Sequence, residues 1–344
     1  MTRLVASLLA LCCSALWADY LEVSRAVTLK AGPDGGAEIL ERLDPGAFLP
    51  LLEDAQTNGY YFAQSPGTVR GWVYRTFVRR YLGEPPKEPD WEPEHPLADR
   101  TAHFTGEQLE YARRHLAIGK PQAVFEKARQ GYVVGYDARL KIPVWVQYEV
   151  TAESAVGPME RTDDFRPDMT LLPEARSTLS DYSGSGFDRG HMAPAADMRD
   201  SESLMSDSFL LSNMTPQVGI GFNRHIWSDL EAAVRGWAQQ KGRLFVIAGP
   251  VFAAQGDSVR YRVVGGNQVA VPTHFYKIVA HWRSESSADV LAFMLPNEPL
   301  SGRDYSEFLT TVDAIERATG LDFLNRLADV QESQVEATVP ASVW

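Results

Sequence analysis

The segment GEPPKEPDWEPEHP, Gly83 to Pro96, concentrates proline and charge where a folded core would need apolar side chains. Proline fixes φ and has no backbone N–H, so this stretch excludes a helix interior or a central strand and reads as a stiff linker. A chain of 344 residues divided there is expected to fold as two unequal units. Its 44% hydrophobic and 23% charged positions exclude a disordered polypeptide. The expected boundaries are a leader at 1–18, a first unit at 19–82, a linker at 83–100 and a second unit at 101–335.

The leader expectation rests on MTRLVASLLALCCSALWA, in which one arginine precedes an apolar run that ends in small residues near Ala15 and Ala18. That is the layout of a secretory signal peptide, and the run is short for a membrane span. Both cysteines, Cys12 and Cys13, fall inside it, so the processed chain would carry no disulfide or thiolate chemistry. A lipid anchor on Cys12 competes with this, but Leu11 stands where a small residue is expected. The expected product is secreted or held in the periplasm or cell envelope, with no stable membrane insertion.

From Asp19 to Leu82, short apolar runs alternate with turn chemistry at Gly32 to Gly36, Asp44 to Gly46, Asn58-Gly59 and Ser65 to Gly67. Strands at about ten-residue spacing predict a small β-barrel. VTLKAGP, ILERLDPGAFLPLLED and GTVRGWVYRTFV in that order resemble the bacterial SH3-like domain. The resemblance implies a module that could hold a cell-wall polymer; a packing or spacer role is the plain alternative.

The second unit mixes both periodicities. Helical patterns are read at Thr105 to Ala117, Gln122 to Arg129 and Ser306 to Gly320, and strands at Ile142 to Thr151, Arg243 to Phe252, His274 to Trp282 and Asp289 to Pro296. Without strict βαβ alternation, the expected class is α+β with a central antiparallel sheet.

Chemistry concentrates in GFDRGHMAPAADM and FLLSNMTPQVGIGFNRHIWSDLEAAVRGW. Asp188, Arg189, Gly190 and His191 bring a carboxylate, a cation and an imidazole together on a tight backbone. Asn223, Trp227 and Glu231 are spaced by four, which on a regular helix places them in one sector. A carboxamide oxygen and a carboxylate facing one place suit a hard divalent cation that keeps its water, with Mg2+ expected and Mn2+ as the substitute. A neutral imidazole can then take a proton from water for attack on a phosphodiester. Taken singly, each element has a plain explanation: a surface turn for the tetrad, a helix N-cap for Asn223, a solvated residue for Glu231 and a turn brace for Asn213. Their order and spacing together favour the chemical one. Trp227, with Leu230, Val234 and Trp237, reads as a core stripe.

DRGH, then SNMTPQ, then FNRHIWSDLE, flanked by PVWVQYEVT, VIAGPVF, VPTHFYKIV and TVDAIERATGLDFL, resemble the DNA/RNA non-specific endonuclease family, the ββα-metal nucleases. The resemblance implies His191 as general base, Asn223 as the metal ligand and Glu231 as holder of metal-bound water. It also implies an organising role for Asn213, a phosphate contact from Arg189 and a supporting role for Asp188. The family's upstream arginine maps to Arg161, with Arg166 close by in MERTDDFRPD. Cleavage of DNA and RNA with little sequence preference, leaving 5′-phosphate ends, is what such a site implies. One spatial proposition underlies all of it: the His191 imidazole and the Asn223 carboxamide, distant in sequence, must converge on one cation.

Lys+Arg 33 against Asp+Glu 45 gives a net charge of −12, so phosphate binding requires a local cluster, for which Arg161, Arg166, Arg189 and Arg224 are the candidates. The remaining histidines, His95, His103, His115, His225, His274 and His281, lack a zinc pattern, and Ser183 and Ser185 lack a nucleophile elbow. Two rival functions remain: an envelope-associated binding protein with a nuclease-like but inactive domain, and a phosphodiesterase for small or lipid-linked phosphates.

Overall fold

The computed structural model describes residues 19–43, 47–53, 55–65, 68–82, 104–123, 125–255, 258–259 and 261–344. The leader at 1–18, the segment 83–96 and the turns at 44–46 and 66–67 lie outside the described residues. The chain divides into two compact units, Met1–Lys87 and Glu88–Trp344.

The first unit is all β. Val78–Leu82, Asp19–Val23 and Phe48–Pro50 pair antiparallel, with Asp19–Val23 central. A second sheet runs Ile39–Leu43, Val27–Lys30, Arg70–Tyr74, Tyr60–Gln64. Asn58 (φ 53°) and Gly59 (φ 80°) make a two-residue turn closed by reciprocal hydrogen bonds of 2.9 Å between Thr57 and Tyr60. This is the turn that Asn-Gly favours, because both central residues need positive φ. Leu21, Val23, Leu29, Leu49, Tyr61 and Val73 fill the interior.

The second unit is an α+β domain with helices on both faces of a central seven-stranded antiparallel sheet. Its order is Leu309–Thr310, Ser287–Pro296, His274–Ser284, Arg243–Val251, Ile142–Thr151, Val133–Asp137, Phe125–Ala128. Period-two alternation divides the core in two. Leu244, Val246 and Ala248 face the helix Ser228–Lys241, whose Leu230, Val234 and Trp237 are buried against them. Phe245 and Ile247 face the opposite side, where Glu107–His115 and Val312–Thr319 pack with Phe323 and Leu324. Burial of each such side chain contributes about 1.5–3 kcal/mol.

Three helical expectations are corrected. Gln122 to Arg129 is not a helix; Phe125–Ala128 is an edge strand, because pairing with Val133–Asp137 outweighs the helical propensity of its glutamate, lysine and alanine. Thr105 to Ala117 shortens to Glu107–His115. Of Ser306 to Gly320, only Val312–Thr319 is α-helical: the Thr311 side chain caps it by accepting from the Ala314 N–H at 3.0 Å, and Gly320 ends it at φ 72°. Leu309–Thr310 instead adds to the sheet edge.

Asn297, at the end of Ser287–Pro296, braces what comes next. Its Nδ2 donates to the carbonyls of Pro216 and Pro272 at 3.1 and 3.0 Å, and its Oδ1 accepts from the Val218 N–H at 2.9 Å. That amide ties a two-stranded ribbon, Asp188–His191 against Met214–Gln217, to the central sheet. Within the ribbon, a Cβ on Gly190 would lie 2.0 Å from Oε1 of the fully buried Gln217. Gly190→Ala is therefore expected to destabilise the domain by about 1–3 kcal/mol, read as a lower urea midpoint; an unchanged midpoint would show that Gln217 can move aside.

Candidate active site

Alternation along the ribbon sends Arg189 and His191 to one side and Asp188 and Gly190 to the other. His191 is only 8% exposed and sits edge-on between two rings, with centroids 5.6 Å from Phe165 and 5.1 Å from Phe209. Each ring also carries a cation: the Arg189 guanidinium lies 3.9 Å from the Phe165 centroid and that of Arg161 lies 4.9 Å from the Phe209 centroid. Burial first, then Arg161 and Arg189, push the imidazole down to about 3. Its Nε2 is buried and has no hydrogen-bond partner among the described residues.

Asp188 reaches Asn223. The Asn223 Nδ2 donates to Asp188 Oδ2 at 2.9 Å, while Arg224 donates to the two carboxylate oxygens at 2.7 and 2.6 Å. A carboxylate only accepts, so the amide nitrogen must be the end on Asp188, and the Asn223 Oδ1 is turned away from it. Asp188 thus fixes which way the Asn223 amide faces. The Arg224 hydrogen bond is the largest influence holding the Asp188 carboxyl below the usual carboxylate range.

Asn223 does not lie on the same regular helix as Glu231. Gly219–Trp227 is an irregular segment with non-helical backbone at Ile220, Gly221 and His225, and the regular helix starts at Ser228. Gly221 has φ 88°, and a Cβ there would meet Pro299 Cα at 2.9 Å, so positive φ and close approach both call for glycine. His225 is an exposed histidine whose Nδ1 accepts the Gly221 N–H at 3.0 Å, which steadies the kink. The one-sector geometry expected from spacing is therefore replaced by a bent approach. Trp227 is core, 1% exposed, as its stripe implied.

Glu231 occupies the first turn of Ser228–Lys241. Burial pushes its carboxyl up to about 7, with Asp197 adding and Lys277, Arg235 and Arg161 opposing. Arg161 therefore acts electrostatically on both His191 and Glu231. Behind Glu231 lie groups the motifs did not reveal. Asp197 accepts from Arg235 at 2.9 Å and from the Tyr148 hydroxyl at 3.0 Å. Lys277 is fully buried, with Nζ 4.4 Å from the Trp227 ring centroid and no hydrogen bond among the described residues. Burial lowers its pKa, and Glu231 and Asp197 counter that. The available signal was a lysine at an inward position of an apolar strand, between Phe275 and Val279.

Asn213 is fully buried and spent on backbone. Its Oδ1 accepts the Ala193 N–H at 2.9 Å, and its Nδ2 donates to the carbonyls of Ala193 and Ser208 at 2.9 and 2.8 Å. It fixes the turn after His191 and is a positioning residue. Arg161, Phe165, Asp188, Arg189, Asn223 and Arg224 line a cleft of about 590 Å³. Arg166 is not among its lining residues: it bonds the Ser206 carbonyl at 2.7 Å and pairs with Asp164 and Asp207. The four-arginine cluster expected from composition thus reduces to three, with Arg224 already paired to Asp188 and Arg161 to Asp163.

A family model described as DNA/RNA non-specific endonuclease matches residues 100–330. Nuclease C1 of Cunninghamella echinulata var. echinulata is 40% identical over 208 residues, covering 58% of this chain and 82% of its own. Human mitochondrial endonuclease G is 38% identical over 213 residues, 60% of this chain and 71% of that one. The mitochondrial Nuclease 1 of Schizosaccharomyces pombe is 33% identical over 284 residues, 78% and 88% of the two chains. A solved structure titled as the EndoG/EndoGI complex superposes with a TM-score of 0.60 at 34% identity, covering 64% of this chain and 94% of that one. No helix among the described residues is long and apolar enough to cross a membrane. With a family match spanning the whole ribbon, kink and helix just described, the chain belongs to the DNA/RNA non-specific endonuclease family and is a nucleic-acid hydrolase.

Proposed function

We propose that this protein is an exported, Mg2+-dependent endonuclease that cleaves DNA and RNA backbones with little sequence preference. The observation that carries this is the Asn223 amide, held by its nitrogen on the strand of His191 so that its oxygen is available to a hard cation. The oxygen-only donor pair of Asn223 and Glu231 fits such an ion, Asn223 as direct ligand and Glu231 through water. When bound, Mg2+ would offset charge on the pentacovalent phosphorus and the leaving oxygen. Arg161 and Arg189, poised on the rings that bracket His191, would bind the phosphodiester. His191 would take the proton of the attacking water at a ring nitrogen. Contacts to phosphate rather than to base edges account for the tolerance of sequence. The first unit would serve as an SH3-like module that keeps the enzyme near a wall polymer, and the leader would direct export although several relatives carry mitochondrial names.

Nicking of supercoiled plasmid and cleavage of RNA are expected with Mg2+ and not with EDTA, and His191→Ala is expected to lose about 10²–10⁴-fold in rate. Wild-type activity in that variant would remove His191 as the base.

The depressed imidazole makes a second test. A bound anionic phosphodiester offsets the guanidinium charges that lower His191, so substrate raises its basicity. The acid limb of kcat, which reports the bound complex, should therefore lie at higher pH than that of kcat/KM, which reports the free enzyme. Arg161→Gln should shift the kcat/KM limb upward; coincident limbs in the wild type would contradict the assigned electrostatics.

Lys277 supports Glu231 and Asp197 from within the core. Lys277→Met leaves two buried carboxylates with Arg235 as the one cation that acts on both, and should destabilise the domain by about 3–5 kcal/mol in chemical denaturation. An unchanged unfolding midpoint would show that the ammonium is dispensable.

A further inference from the structure

Away from the cleft, the helices Val312–Thr319 and Asp329–Glu336 bring three carboxylates together. Asp313 and Glu316 lie one turn apart on the first helix, Glu336 ends the second, and one oxygen from each lies within 4.8 Å of the others. Glu316 and Glu336 are each only 7% exposed. One Glu316 oxygen accepts the Phe323 N–H at 2.9 Å, but Oε1 of Glu336 is buried with no hydrogen-bond partner among the described residues. Such an orphaned acceptor, turned into a group of like charges, calls for a proton or a cation.

The surroundings deepen the deficit of positive charge. Burial raises the Glu336 carboxyl to about 9, and Glu316, Glu332, Asp322 and Asp313 add to that rise. The charged groups facing it from the first helix, the connecting loop and the second helix are thus acidic. Arg317 approaches only Asp313, at 3.8 Å, with a mostly exposed guanidinium.

We propose that Asp313, Glu316 and Glu336 form a divalent-cation site of calcium type, separate from the catalytic cleft, that clamps the two C-terminal helices together. Oxygens 2.3–2.6 Å from one ion can stand up to about 5 Å apart across it, so the observed grouping accommodates a single ion. The absence of nitrogen and sulfur donors selects a hard cation. Calcium accepts an irregular carboxylate cage, whereas magnesium demands a near-ideal octahedron and holds its waters. The clamp would fix the helices whose Val312, Ile315 and Leu327 neighbours cover one face of the central sheet.

The test is thermal unfolding of the full, chelator-treated chain at pH 7.5, with and without millimolar Ca2+. A rise of several degrees is expected, because a ligand that binds only the folded state stabilises it. Asn223→Ala, which lacks the cleft's direct ligand, should keep the rise; Glu336→Gln and Asp313→Asn should lose it. Glu336→Gln should also unfold at higher temperature than the wild type when both are free of calcium, since the wild-type carboxyl, raised to about 9, must take up a proton on folding at that pH. No calcium response in the wild type, or a response retained in both carboxamide variants, overturns the site and leaves a shared proton between Glu316 and Glu336. An equal response to Mg2+ at the same concentration overturns the choice of calcium.

Discussion

The carboxylate of Asp188 fixes the geometry on which the rest of the site depends. It receives the Asn223 amide and the Arg224 guanidinium, and it stands three residues before His191 on the same strand. Because a carboxylate cannot donate, it selects one of the two orientations of the Asn223 amide. The short ribbon transmits that choice: Asp188 pairs with Gln217 and His191 with Met214, so the segment that carries Asn223 departs from the strand opposite His191. Asn223 thus reaches the cleft without a regular helix, while the buried His191 is not among the described residues that line it.

Two electrostatic regimes lie back to back across the helix Ser228–Lys241. On the cleft side, burial and then the cations resting on aromatic faces lower the pKa of the imidazole. On the sheet side, Lys277 and Arg235 stand near Glu231 and Asp197, two positive and two negative groups removed from bulk water. Glu231 belongs to both. Charges of this kind are costly to bury and rarely chosen for stability alone, which is consistent with a role in setting the state of one carboxylate.

Much of this was legible in the residues. The long strands announced themselves through uninterrupted apolar runs such as RLFVIAGPV, and Asn58-Gly59 specified its turn outright. His191, Asn223 and Glu231 stood out because a rare combination of types occurred in order. What escaped notice was tertiary in origin. Phe125–Ala128 becomes a strand only through its neighbour, and the kink at Gly221 follows from the approach of Pro299. Asp197 falls in the stretch that holds His191 but has no spacing that marks it, and Lys277 belongs to no local motif; only folding sets them beside Glu231. Arg161 and Arg166 are five positions apart and alike in type, and contact with Phe209 rather than with Asp207 is what separates them.

Asn297 makes the outgoing end of the ribbon a fixed anchorage rather than a free connector, since its amide grips Pro216, Pro272 and Val218 together. The segment that carries Asn223 is thereby suspended between two moorings, Asn297 at one side and Asp188 at the other. Insertions or deletions between Gln217 and Asn223 would break that span, whereas the exposed bend at Ser284–Ser287 can change length without disturbing it. Selection on a residue whose amide is spent on backbone would then preserve the cleft, and the evolutionary freedom of the domain should be greatest at the sheet's far rim.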